Sequence, residues 1–257
     1  MNGTTRPAAR NGFRKHSLAL ALTAGLTTVF GAGVAQAATW DVTVTNLTNG
    51  NHFTPLLLTA HDHDTHLFEV GMPASVPMEH MAECGHLAAL LGTSEVGGAD
   101  ADTIADPNGG PLAPGMSTNA IIDTTETHLS VVAMVLPTND AFMGMESQHI
   151  PTEAGTYTYY INSYDAGTEG NDETINPLGP GDCSYTEVGM IPVAPNGDNT
   201  TGGTGVVVPG TPDTNTNIHV HRGVLGESAG GLGQSDLVSS IHRWQNPVAK
   251  ITVTVTP

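Results

Sequence analysis

The stretch Thr39–Leu47, TWDVTVTNL, alternates side chains in period two and runs into the turn Thr48-Asn49-Gly50-Asn51. The C-terminal stretch Val248–Thr256 mirrors it. Period-two alternation means one face buried and one face wet, which is the pattern of a β-strand and not of a helix. Between the two ends, strand-like runs recur at Pro55–Ala60, Thr65–Val70, Ala120–Ile122, His128–Leu136, Gly155–Ser163 and Asn217–His221. Turn-forming residues separate them, supplied by 31 glycines and 17 prolines. Many short strands with few helical stretches predict an antiparallel sandwich or barrel. One segment, Ser75–Leu91, has apolar residues near period 3.6 and ends at Gly92, so it reads as a helix; a second short turn is expected around Ser235–Ser240. Gly92–Met116 and Asn196–Asn217 read as loops, of a length that is uncommon in a compact domain unless functional or mobile.

The N-terminus has a different character. Arg6, Arg10, Arg14 and Lys15 precede an apolar run from Leu18 to Ala35, and Ala35-Gln36-Ala37 forms an A-x-A site. This is the pattern of a signal peptide (residues 1–37) cleaved near Ala37, which places the mature domain, 38–257, in the periplasm or outside the cell. The apolar run is short for a membrane span, and no later run in the mature chain is long enough. Cleavage leaves Arg222, Arg243 and Lys250 against 25 acidic residues, a formal charge of −22 (3 − 25). Such a chain repels nucleic acid and attracts cations; adaptation to a salty medium gives the same composition. Two cysteines in an exported chain, Cys84 and Cys183, suggest one disulfide.

Residues 163–173, SYDAGTEGNDE, crowd four carboxylates (Asp165, Glu169, Asp172 and Glu173) with no Lys or Arg among them. On a straight strand Asp165 and Glu169 would lie roughly 13 Å apart, too far to share an ion. Gly167 and Gly170 suggest that the chain curls instead. Hard oxygens in a curled loop suit Ca²⁺, which takes six to eight of them, and the EF-hand spacing is absent. A solvated acidic hairpin loop is equally consistent with the stretch alone. Upstream, an apolar strand ends at Leu136, Pro137 interrupts it, and Asp140 sits in the turn. One returning strand between them would bring Asp140 and Asp165 to the same end of a sandwich.

PTNDAFMGM followed by YDAGTE resembles the spondin N-terminal domain family, and so do Val70–Ser75, Ala82-Glu83, His219–Gly223 and Trp244–Ala249. The resemblance spans nearly the whole mature chain. It implies an all-β fold, a C2-like antiparallel β-sandwich of about eight strands with one short helix and long loops. It also implies a calcium ion at one end, with Asp140, Asp165 and Glu169 in the metal-binding positions. Glu169 stands where animal members carry Asp, and Ala141 where they carry Trp. Adhesion or surface and matrix interaction, with an extracellular protein or glycan as partner, is the role the resemblance implies.

The histidines suggest a rival. His61 and His63 lie in AHDHDTH, and His219 and His221 in HVH. Residues two apart on a strand share a face. Were the two pairs brought together, they would suit Cu²⁺ or Zn²⁺. Catalytic patterns are weak: G-x-S-x-G and H-E-x-x-H are both missing, so the chain reads as a binding module rather than an enzyme.

Overall fold

A computed structural model describes residues 37–92, 100–104, 110–174, 215–228 and 233–257. The expected signal segment before residue 37, Cys183 of the expected Cys84–Cys183 pair, and most of the 196–217 loop lie outside the described residues.

Ten strands are described: β1 Ala38–Asn46, β2 His52–Phe53, β3 Leu56–His61, β4 Asp100–Ile104, β5 Ser117–Thr124, β6 His128–Leu136, β7 Ala141–His149, β8 Gly155–Asp165, β9 His219–Val220 and β10 Ala249–Thr256. Three short helices accompany them: α1 Val76–Cys84, α2 Ala88–Leu91 and α3 Ser239–His242. All strand ladders are antiparallel. One layer runs β5-β1-β10-β8 and the other β4-β3-β6-β7-β8. The eleven-residue β8 belongs to both. Its Gly155–Ile161 part pairs with β10, and its Asn162–Asp165 part pairs with β7. The fold is the all-β antiparallel class that the alternation predicts.

The two terminal strands pair along their whole length, from Thr39↔Thr256 to Asn46↔Ala249. Trp40, Val42 and Val44 of β1 and Ile251, Val253 and Val255 of β10 point inward, where they meet Leu56, Leu58, Val131, Ala133 and Met143 from the other layer. Each of these large side chains gains about 1.5–3 kcal/mol from full burial. The second layer is covered on its outer face too. There Leu57, Val132 and Phe142 pack against Met78, Met81 and Ala82 of α1 and against Leu67 and Phe68. Burial on both faces explains why β6, HLSVVAMVL, is an unbroken buried run whereas β1 alternates.

Helix α1 begins where Ser75 accepts the Met78 N–H and stops at Gly85, which adopts a left-handed φ of 64°. The single helix expected over 75–91 is therefore two, α1 and α2. The expected strand Thr65–Val70 is absent: consecutive Leu67 and Phe68 are both buried on the outer face, which an alternating strand does not allow. Conversely, the expected 92–116 loop contains β4, an acidic edge strand paired with β3. Among the described residues no helix is long and apolar enough to cross a membrane.

Glu173 ties the loops together. It sits at φ 57°, in the left-handed region that side-chain-bearing residues rarely adopt. Its carboxylate accepts the N–H groups of Leu225 (2.5 Å) and Gly226 (2.9 Å) and the Ser235 hydroxyl (2.7 Å). Its own carbonyl accepts the Asp236 N–H. Glu173→Ala is expected to lower the unfolding free energy by about 2–4 kcal/mol, because buried donors lose a charged acceptor. Denaturant unfolding measures it; a loss below about 0.5 kcal/mol contradicts the anchoring role.

Candidate functional site

The β7–β8 ladder pairs Ala141 with Asp165, so the turn before β7 and the loop after β8 meet. The turn is shaped by Thr138, whose hydroxyl reaches the Val135 carbonyl and accepts the Ala141 N–H. Asp140 leaves this turn with its side chain wholly buried. The loop after β8 curls at Gly167, φ 73°, where a Cβ would lie 2.6 Å from the Thr216 carbonyl carbon. Only glycine fits that close approach. The curl aims the Thr168 and Glu169 N–H groups at Asp140 Oδ2, at 2.9 and 3.1 Å, with the Thr168 hydroxyl at 3.3 Å. Asp140 Oδ1 is buried and has no hydrogen-bond partner.

Asp165 is better supplied. Oδ1 accepts the Gly167 N–H (2.9 Å) and Oδ2 the Asn171 amide (2.7 Å). Glu169 resembles Asp140, with Oε1 buried and unpartnered. Asp172 is occupied locally by Thr174 and the Asn139 amide, and Glu173 is the anchor described above. The four crowded carboxylates thus divide: Asp165, Asp172 and Glu173 are supplied with donors, whereas Glu169 keeps one buried oxygen without a partner and lies in the field of Glu83 and Asp140.

A further acid joins Asp140, Asp165 and Glu169 from the helix. Glu83, buried in the last turn of α1, contributes charge to both Asp140 and Glu169. Burial, then the charge of Asp165, pushes Asp140 up to about 7. Burial, then Glu83 and Asp140, pushes Glu169 up to about 8. Burial also raises Glu83 itself. As the side chains stand, no three His, Cys, Asp or Glu among the described residues form a closed metal-ligand set. The donor set is nevertheless hard oxygen throughout, with two buried oxygens lacking partners, and that chemistry fits Ca²⁺.

The histidine quartet does not form. His219 and His221 do reach this end: β9 pairs with β8 beside Asp165, and their Nε2 atoms lie 3.6 and 3.9 Å from Asp165 Oδ2. His61 pairs with His128, which pairs with His149 at the far end of β7. The length of β7 from Ala141 to His149 puts roughly 25 Å between the two ends. The joint Cu²⁺ or Zn²⁺ site of His61, His63, His219 and His221 is thus excluded by strand direction. His221 instead supports the acidic loop. Its Nδ1 accepts the Gly223 N–H, so Nε2 carries the proton and donates to Asn171 Oδ1 (2.9 Å). That bond orients the Asn171 amide toward Asp165.

A model of the spondin N-terminal domain family, Spondin_N, matches residues 44–177, just over half of the chain. The chain belongs to this family. A search of curated proteins finds no match. Asp140, Asp165 and Glu169, which the resemblance assigns to the metal, lie within the matched spondin region and are brought to one end by the fold. Glu83 and Asn171 lie in stretches that the sequence analysis singles out, but it gives neither of them a role at the site. A signal for Glu83 exists: a carboxylate in the last turn of a helix meets the negative end of the helix dipole and needs a compensating reason.

The pH dependence follows from the direction of the shifts. Asp140 and Glu169 have folded values above their ordinary 3.8 and 4.5. The stability they confer is complete below those ordinary values and is lost as pH rises through about 7 and about 8. Buried His242, pushed down to about 4 by burial and then by His52, acts oppositely; its contribution is present above 6.5 and lost as pH falls toward about 4. In chelator the melting temperature is expected to fall from about pH 5 to about pH 8, between the ordinary and the raised values of the two acids. Asp140→Asn, which removes one buried charge, is expected to flatten that fall and to melt higher than the parent at the alkaline end. An unflattened profile contradicts the assignment.

Proposed function

We propose that this spondin domain is an exported, non-enzymatic binding module that takes up one Ca²⁺ through Asp140, Asp165 and Glu169, with Glu83 alongside. The observation that carries the reading is the pair of buried, unpartnered oxygens, Asp140 Oδ1 and Glu169 Oε1, on acids whose proton affinity is raised first by burial and then by neighbouring negative charge. A bound divalent cation supplies the charge that this cluster lacks. The residues of the chain do the rest. Thr168 and Glu169 N–H groups hold one oxygen of Asp140, and Asn171 holds one oxygen of Asp165, which limits how far either carboxylate can turn. With repulsion cancelled, the Pro137–Asp140 turn and the 166–173 loop form a fixed surface at one end of the sandwich. That surface would meet an extracellular protein or glycan in an adhesion or surface-contact role, by analogy with animal members of the family. The A-x-A pattern ending at Ala37 supports export.

Thermal melting against Ca²⁺ tests the binding step. A ligand bound only by the folded state stabilises it by about 2.7 kcal/mol at one hundred times its Kd. The parent is expected to melt progressively higher as Ca²⁺ rises at pH 8, and Asp140→Asn and Asp165→Asn are expected to lose the response. A melt unmoved by millimolar Ca²⁺ refutes calcium uptake. Isothermal titration in buffers of different ionisation enthalpy adds a second reading, since the raised acids must release protons when the cation enters.

A further inference from the structure

The outer face of the second layer changes character along its length. At the Asp140 end, Leu57, Val132 and Phe142 lie under α1. Two residues along each strand come Thr59 and Ser130, and two further come His61 and His128, directly paired. His128 pairs in turn with His149. Directly opposed residues in an antiparallel ladder project to the same face, with Cβ atoms about 4.5–5.5 Å apart. A row of three imidazoles therefore crosses β3, β6 and β7. His63, from the turn after β3, adds a fourth. The His63 and His149 rings each meet His128 edge-on with centroids 5.3 Å away, and His61 stacks on His128 at 6.4 Å.

The hydrogen bonds sort these rings by role. Both nitrogens of buried His61 are occupied: Nδ1 donates to the Asp62 carbonyl (2.7 Å) and Nε2 meets the Ser130 hydroxyl (2.8 Å). His61 is the floor of the row. His128 holds the Thr127 hydroxyl through Nδ1 (2.9 Å), and His63 holds the Asp64 carboxylate through Nδ1 (3.1 Å). Metal-bound histidines almost always engage an oxygen through the ring nitrogen that does not face the metal; His128 matches this in the tautomer whose Nδ1–H donates to the Thr127 hydroxyl, which leaves Nε2 with its lone pair. His149 is exposed at the end of β7. Burial, together with His149, His63 and His61, also holds His128 below the ordinary histidine range, which favours the neutral, ligating form.

The geometry points to a transition-metal site at the end of the sandwich opposite the carboxylates, built from His63, His128 and His149 and taking Cu²⁺ or Zn²⁺. As they stand the three Nε2 atoms do not surround one point. Closure needs side-chain rotation of His63, whose side chain is 79% exposed, and of exposed His149, around a His128 fixed by Thr127 and His61. Three imidazoles with an open position suit Zn²⁺ and Cu²⁺ and not Ca²⁺, which prefers hard oxygen. The site shares no ligand with the calcium reading, and either stands without the other.

The test is calorimetric titration of chelator-stripped protein, purified without a histidine tag, with CuCl₂ and with ZnCl₂ in millimolar Ca²⁺. One equivalent of each is expected, Cu²⁺ tighter than Zn²⁺. His63→Asn and His149→Asn, both at exposed positions, are each expected to weaken binding by about tenfold or more while leaving the melt of the metal-free protein unchanged. His219→Asn is expected to leave binding unchanged. Coupling of the Cu²⁺ electron-spin signal to three nitrogens supports the assigned ligands; coupling to two or fewer overturns them. No uptake against a weak competing chelator overturns the site, as does an affinity that His63→Asn and His149→Asn leave within twofold of the parent.

Discussion

The pairing of Ala141 with Asp165 governs everything that happens at one end of this molecule. It forces two turns, distant in sequence, to deliver a carboxylate each to a single buried volume. A slip of one residue in either strand would carry the Asp165 side chain to the opposite face and dissolve the cluster. The register holds because β7 is fully buried through its first five residues and cannot shift without exposing Phe142 and Met143 or burying polar groups. The hydrophobic core therefore sets an electrostatic problem that the core itself does not solve.

The protein meets part of that problem with backbone donors. Asp140 Oδ2 takes two N–H groups and a hydroxyl, and Asp165 is held by Gly167 and Asn171. Asn171 is oriented by His221, whose own tautomer is set by the Gly223 N–H and whose ring packs on Trp244. The acidic loop is thus supported from the C-terminal part of the chain, through Glu173 as well as through His221. Hydrogen bonds stabilise a charged oxygen but do not cancel its charge. The oxygens left over, one each on Asp140 and Glu169, are buried without a hydrogen-bond partner.

The second layer carries this polar end on one side and the imidazole row on the other, with an apolar midsection under α1 between them. Strand length separates the two, so charge changes at one end act weakly at the other across an ionic medium. The strong negative charge of the chain raises the local concentration of cations around both.

The strand pattern, the antiparallel class and the start of α1 were legible because they depend on local rules: alternation, capping and glycine. Where both faces of a layer are covered, those rules weaken. Leu67-Phe68 imitated a strand because both side chains are apolar, and β4 hid in an acidic stretch because an edge strand needs little hydrophobicity. At the candidate site, PTND and DAGTE pointed to Asp140, Asp165 and Glu169, and the structure brings these three residues to one end because motif residues keep their local turns. The roles of Glu83 and Asn171 and the sorting of the histidines were not legible. They depend on which strands lie side by side and in which direction, a property of pairing between segments far apart in the chain. The sequence by itself determined the alternating strands, the curl at Gly167 and the excess of negative charge. Only the tertiary structure decided which charges share a volume and which imidazoles share a face, because register and strand direction are settled by burial of the whole core at once.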